Sequence, residues 1–340
     1  MTPDRLARLP KAELHCHLEG TASPALVQRQ AARHGVDVSD ILADGAYRRG
    51  DFQTFLRAYD RASALFRTEE DYAELTRTYL AAIAAEGAFH AELFVSPDHA
   101  RAAGLAPRTY IGAVAAGAAR AEADHGIVCR LIVVGVRHFG VAAVEAAARF
   151  AAEPGLPRVS GFGLAGDETV GRPADFARAF AIAGEAGLGL TAHAGEFAGP
   201  DAVRETLDAL KPSRLGHGVR AVEDRELLRR IAAEGVVLEV CPGSNLALGV
   251  YPSPAAHPLR RLVEAGCRVT VNSDDPPFFA TSLAAEYAFA RDRQGLAESV
   301  LAGFTRTAIE AAFVDKDTRR MLEERFVAAL LALGSGPGSD

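Results

Sequence analysis

Little in this chain points to export, to a membrane or to a nucleic acid. It has only four cysteines, Cys16, Cys129, Cys241 and Cys267, in 340 residues. None belongs to a CxxC pair, so neither a disulfide framework nor a cysteine-rich zinc module is encoded. The leading stretch MTPDRLARLP has no apolar core of the kind a signal peptide needs. No window approaches the about 20 uninterrupted apolar residues of a membrane span. Basic residues are too few to outweigh the acidic ones. The formal charge is −7, which disfavours nucleic acid and anionic bilayers as partners. Lysine is scarcer still, with Lys11, Lys211 and Lys316 alone. None of these ends an apolar run, which removes the bridging lysine that many two-metal hydrolase barrels use. What remains is a globular composition, a reducing, cytoplasmic setting and a small-molecule partner.

What the chain does have is rhythm. Eight short apolar runs alternate with alanine-rich helical stretches: AELHCH (12–17), FHAELFVS (89–96), CRLIVVGVR (129–137), VSGFGLAG (159–166), LGLTAHAG (188–195), RLGHGV (214–219), GVVLEVCPG (235–243) and RVTVNSDD (268–275). The intervening segments, such as AVEDRELLRRIAAEG, open on acids or proline and close on glycine, as helix ends prefer. Strand–helix alternation implies parallel strands with helical crossovers, and eight units predict a (β/α)8 barrel over an open doubly wound sheet. We expect one domain over residues 1–333 and a flexible tail, 334–340. Between the first two strands lies more chain than one crossover needs. Phe52, Phe55, Leu56, Tyr59, Leu65 and Phe66 are spaced there as on helices. They suit extra helices packed on the barrel, or a lid that keeps water out.

Catalytic groups of such a barrel gather at the carboxyl ends of its strands. Those ends carry His15 and His17, Ser96 with Asp98 and His99, Arg137 with His138, Asp167 with Glu168, His193 with Glu196, His217, Ser244 with Asn245, and Asp274 with Asp275. On a strand, residues i and i+2 share a face. His15 and His17 therefore reach one point, while Cys16 turns into the layer between strands and helices. An HxH pair alone is weak evidence. His193 read alone is a core histidine, and Asp274 read alone is a helix cap. Taken together, three imidazoles and a carboxylate at one barrel end are what a catalytic zinc ion requires, and such an ion makes hydroxide available near neutrality. His217 is placed to take a proton from the water or to steady it by charge. Glu196 can hold a proton for a substrate if burial raises its pKa, or it simply answers a helix dipole.

At this point the segments KAELHCHLEG, GFGLAGDE, TAHAGE, RLGHGVR, LEVCPGSN and VNSDDPPFF, in order from about residue 10 to residue 330, resemble the adenosine deaminase family of metal-dependent amidohydrolases. The resemblance implies one zinc ion held by His15, His17, His193 and Asp274. It implies that Glu196 protonates purine N1, that His217 serves the attacking water, that Asp275 accepts from N7–H and that Gly166 offers its N–H to N3. Phe52 and Phe55 are then candidates for an apolar rim. Adenosine-specific members read HLDG where this chain has Glu19, and the longer acid resembles relatives that deaminate free adenine. GLAGDE pulls the other way. Adenosine is the expected substrate, with adenine or a modified adenine nucleoside second.

Two other readings compete with this one. His90-Ala-Glu92 matches half of a cytidine-type zinc site, but the P-C-x-x-C half is absent, so both residues are expected to lie below the active end with little functional weight. A zinc-binding barrel without activity is disfavoured by the acid–base pair Glu196 and His217.

Overall fold

The computed structural model describes residues 3–334. Beyond Gly334, the tail expected from the sequence lies outside the described residues. Eight parallel strands follow one another around a barrel in chain order: β1 (Lys11–His17), β2 (Ala88–Val95), β3 (Val128–Val136), β4 (Val159–Ala165), β5 (Gly189–Ala194), β6 (Arg214–His217), β7 (Val237–Val240) and β8 (Arg268–Val271). All eight runs read from the sequence become these strands. The seam between β8 and β1 is closed by a parallel bridge between Cys16 and Asp274. There the Asp274 N–H donates to the His15 carbonyl at 3.1 Å, and the His17 N–H donates to the Asp274 carbonyl at 3.0 Å.

The strands are apolar on both faces, as parallel strands under helices must be. Phe94, Ile132, Val134 and Ala165 form a small cluster, whereas Leu93, Val95, Leu131 and Val133 join the large core shared with the helices. Cys16 belongs to that large core, as alternation from His15 predicts. The helix in AVEDRELLRRIAAEG opens on an acid and closes on glycine, as its sequence suggests. Asp224 caps helix Arg225–Glu234 by accepting from the N–H groups of Glu226 and Leu227, and Gly235 ends it in the left-handed conformation. Among the described residues, no helix is long and apolar enough to cross a membrane.

The insertion after β1 supplies helices Pro24–His34, Phe52–Ser63 and Glu69–Ala85 and a two-residue hairpin. Phe52, Phe55, Leu56 and Tyr59 lie on the helix Phe52–Ser63, capped by Asp51. Leu65 and Phe66 do not continue it. They are buried in the turn before Thr68, which forms a capping box with Asp71. At the opposite end of the barrel, the link between helices Glu298–Ala311 and Lys316–Gly334 crosses the bottom, and Phe313 stacks on the Arg214 guanidinium at 3.6 Å.

Candidate active site

Four strand ends converge on one point. His17 Nε2 lies 3.2 Å from His193 Nε2. Asp274 Oδ1 lies 3.3 Å from His15 Nε2 and 3.4 Å from His17 Nε2. His15, His193, His217 and Asp274 present ligand atoms within 4.8 Å of one another, and His17 forms an overlapping group with Asp274 and Asp275. His217 and Asp274 adopt positive φ, 59° and 63°. A non-glycine residue held there costs on the order of 1–3 kcal/mol, a strain that tertiary structure tolerates mainly at functional sites.

The imidazoles are held from behind. His15 Nδ1 lies 2.9 Å from Glu239 Oε2, and His193 Nδ1 lies 2.9 Å from the Leu164 carbonyl. Each Nδ1–H donates outward, which leaves Nε2 as the atom facing the cluster. Buried His15 Nε2 has no hydrogen-bond partner among the described residues. A ring oriented this way, with one nitrogen bare, is how proteins present histidine to a metal ion. The donor set of nitrogens and one carboxylate fits a divalent transition metal.

Glu239 was not foreseen as part of this arrangement. Its other oxygen lies 2.6 Å from Arg214 Nε, and Arg214 NH1 lies 2.7 Å from Glu92 Oε2. All three side chains are buried. Glu92, expected to carry little weight, is thus the far end of an ion-paired row that reaches His15. His90, 3.6 Å from Glu92, sits beside that row and takes no part in the cluster.

Glu196 and His217 face each other at 3.6 Å. Burial pushes the Glu196 carboxyl up, and the Asp274 and Glu168 carboxylates push it further, so the protonated form is favoured. Burial lowers the His217 pKa to about 3, which keeps the ring neutral. A relay fixes its tautomer. The Leu259 N–H donates to His257 Nδ1 (3.2 Å), leaving Nε2–H to donate to Asn245 Oδ1 (3.2 Å), and the Asn245 amide donates to His217 Nδ1 (3.3 Å). The proton of neutral His217 therefore sits on Nε2, facing the site. Asn245 also approaches Glu196 Oε1 at 3.5 Å. The sequence placed Asn245 at a strand end but gave it no role, and His257, outside every motif, carried no signal at all.

A pocket opens above the cluster, lined by Phe52, Phe55, Tyr59, His99, His138, Gly166, Glu196, His217, Leu248, Asp274 and Asp275 among others. Phe52 and Phe55, the rim candidates, are among its lining residues. Gly166 has φ +94°, and a Cβ there would lie 2.7 Å from His138 Nδ1, so only glycine brings its backbone to the wall. Asp275 is buried with Oδ1 unpartnered, and burial, then the Asp274, Glu196 and Glu19 carboxylates, push its pKa up.

Other strand-end groups are spent elsewhere. Asp98 pairs with Arg101, and Arg137 donates to the carbonyls of Val170 and Gly171. Glu19, expected to touch substrate, is buried outside the pocket lining. Its carboxylate accepts from Tyr110 at 2.6 Å and from Tyr59 at 3.2 Å.

Residues 10–329 match the model of the family described as adenosine deaminase. The chain belongs to the adenosine deaminase family. It is 60% identical over 317 residues to an adenine deaminase from Chelativorans sp. (strain BNC1), covering 93% of this chain and 98% of that protein. Among family structures, an adenine deaminase from Arthrobacter aurescens superposes with a TM-score of 0.88 at 31% identity, covering 95% of this chain and 99% of that one. An amidohydrolase from Burkholderia ambifaria solved with bound zinc superposes with a TM-score of 0.88 at 25% identity, covering 98% and 95%.

Proposed function

We propose that this enzyme hydrolyses the 6-amino group of free adenine, giving hypoxanthine and ammonia. The observation that carries the choice of base over nucleoside is the fate of Glu19. In the adenosine-specific pattern, the acid at this place lies near the ribose 5′ position. Here both carboxylate oxygens are taken by Tyr110 and Tyr59, and the Tyr59 ring lines the pocket in its stead. The carboxylate braced behind this aromatic wall is not offered to a sugar hydroxyl. The names of the relatives at 60% and 56% identity, both adenine deaminases, support the same choice. This reverses the order of substrates drawn from the sequence. GLAGDE, which resembled the nucleoside enzymes, is outweighed, and its acids are engaged within the protein. Asp167 binds Gln53 and Thr169, and Glu168 binds the turn after β5.

The proposed ion is zinc, held by His15, His17, His193 and Asp274, and when bound it supplies hydroxide near neutral pH. The protein's own groups do the rest. Glu196, kept protonated, donates to purine N1 and makes C6 electrophilic. His217 presents Nε2–H to the incoming oxygen and orients it. Asp275 accepts from N7–H, and the Gly166 N–H meets N3. Phe52 and Phe55 cover the ring and exclude water. Parallel kinetics on adenine and adenosine with metal-loaded protein test the reading. Adenine is expected to win by at least about 100-fold in kcat/KM. Adenosine turned over as well as adenine overturns it.

A further inference from the structure

The turn that carries Glu196 is held by another acid. Glu168, three residues past the end of β4, is buried and reaches under residues 195–198. Its Oε1 accepts the Gly195 N–H at 2.7 Å. Its Oε2 accepts those of Glu196 at 3.0 Å, Phe197 at 2.5 Å and Ala198 at 3.0 Å. Four consecutive backbone N–H groups thus close on one carboxylate. Such a concavity of N–H groups is an anion nest, and here a side chain of the same chain fills it. Gly195, at φ +80°, supplies the left-handed residue that curls the turn, and a Cβ there would strike Val203 at 2.6 Å. Among the described residues no other acceptor meets these N–H groups, two of which belong to buried residues, and an unpaired buried N–H costs roughly 1–3 kcal/mol. Glu168 does not line the pocket.

We propose that Glu168 is a positioning residue for the proton donor, acting through the backbone of residues 195–198 to set where the Glu196 carboxyl meets the substrate. This rests on the reading of Glu196 as that donor. The geometry makes a carboxylate necessary at Glu168. An amide of the same shape has one acceptor oxygen and an NH2 group that would face N–H donors.

The test is a kinetic cycle with an exchange measurement beside it. Glu168→Gln is expected to lower kcat for adenine about 10- to 100-fold, as a small misplacement of a catalytic group does. KM is expected to stay within about threefold and bound metal to stay stoichiometric. Glu168→Asp, which keeps the charge on a shorter stem, is expected to recover part of the loss and guards against a glutamine variant that fails to fold. In a Glu196→Gln background, adding Glu168→Gln should cost no further kcat, because residues acting through one group are not additive. Amide exchange of residues 195–198 should quicken at least about tenfold in Glu168→Gln while β1 stays protected. Effects that multiply in the double variant, a kcat within threefold of wild type, or metal loss in Glu168→Gln would overturn the proposal. Unchanged exchange at 195–198 would overturn it whether or not adenine proves to be the substrate, since that readout needs no turnover.

Discussion

Replacing Arg214 by methionine tests whether the buried row behind His15 matters to both fold and site. The guanidinium is 1% exposed and lies 2.7 Å from Glu92 and 2.6 Å from Glu239, each carboxylate fully buried. It also donates to the Ala311 carbonyl and stacks on Phe313. Methionine fills much of the volume but leaves two buried carboxylates facing each other without a cation. Removing one partner of a buried pair costs about 3–5 kcal/mol, far more than the pair's own net worth, because the orphaned charge stays desolvated. For a chain of this length that corresponds to a fall in Tm of roughly 4–7 °C. A second effect follows at the site. Glu239 loses the contact that fixes it against His15, and weakening such an outer contact lowers metal affinity about 10- to 100-fold. Thermal unfolding of metal-free protein reads the first effect, and competition with a chelator reads the second. Adding Glu92→Gln removes one of the orphaned charges and should recover part of the lost stability without restoring metal affinity. An Arg214→Met variant within about 1 kcal/mol of wild type and with unchanged metal affinity would refute the reasoning.

Glu196→Gln should keep its metal and lose on the order of 100- to 10,000-fold in kcat, the usual contribution of a placed proton donor; near wild-type turnover would remove Glu196 from the chemistry. Because burial, Asp274 and Glu168 raise the Glu196 pKa, the active protonated form persists below that pKa and is lost above it. The pH profile of kcat should therefore fall on the alkaline side, and a rate that climbs steadily through that range would contradict the assignment. His15→Ala and Asp274→Ala should each lose bound metal together with activity, measured by elemental analysis of purified protein, and stoichiometric metal in either variant would show the ligand assignment wrong. Gly20→Ala would place a Cβ 1.7 Å from Asp275 Oδ1. It should displace that carboxylate and raise KM for adenine at least about tenfold, and unchanged kinetics would mean Asp275 does not bind the base.

The barrel was legible because its signals are local. Each strand is a short apolar run, each helix announces its ends, and strand alternation assigns His15, His17 and Cys16 to their faces without knowledge of any partner. The clustered histidines were legible for a related reason, since strand ends of a barrel share one rim. What escaped was pairing across the interior. Glu239 stands in LEVC and Arg214 opens RLGH, and nothing near either names the other or Glu92. Glu19 shows the same limit from the opposite side. Its length was noticed, but its tyrosines lie 40 and 91 residues away, so its carboxylate looked free for substrate. Asn245 and His257 matter through a tautomer, which only a chain of hydrogen bonds defines.

The seam between the first and last strands has a consequence for how the enzyme is born. His15 and His17 leave the ribosome early, whereas Asp274 emerges only when most of the chain has been made. Their backbones meet in the bridge that closes the barrel. If His15, His17, His193 and Asp274 hold the ion as proposed, an unfinished chain has histidines but lacks the assembled cage. Under the proposed ligand set, metal capture would report completed closure, and an ion that binds the closed form in preference would draw the folding equilibrium toward that form by mass action.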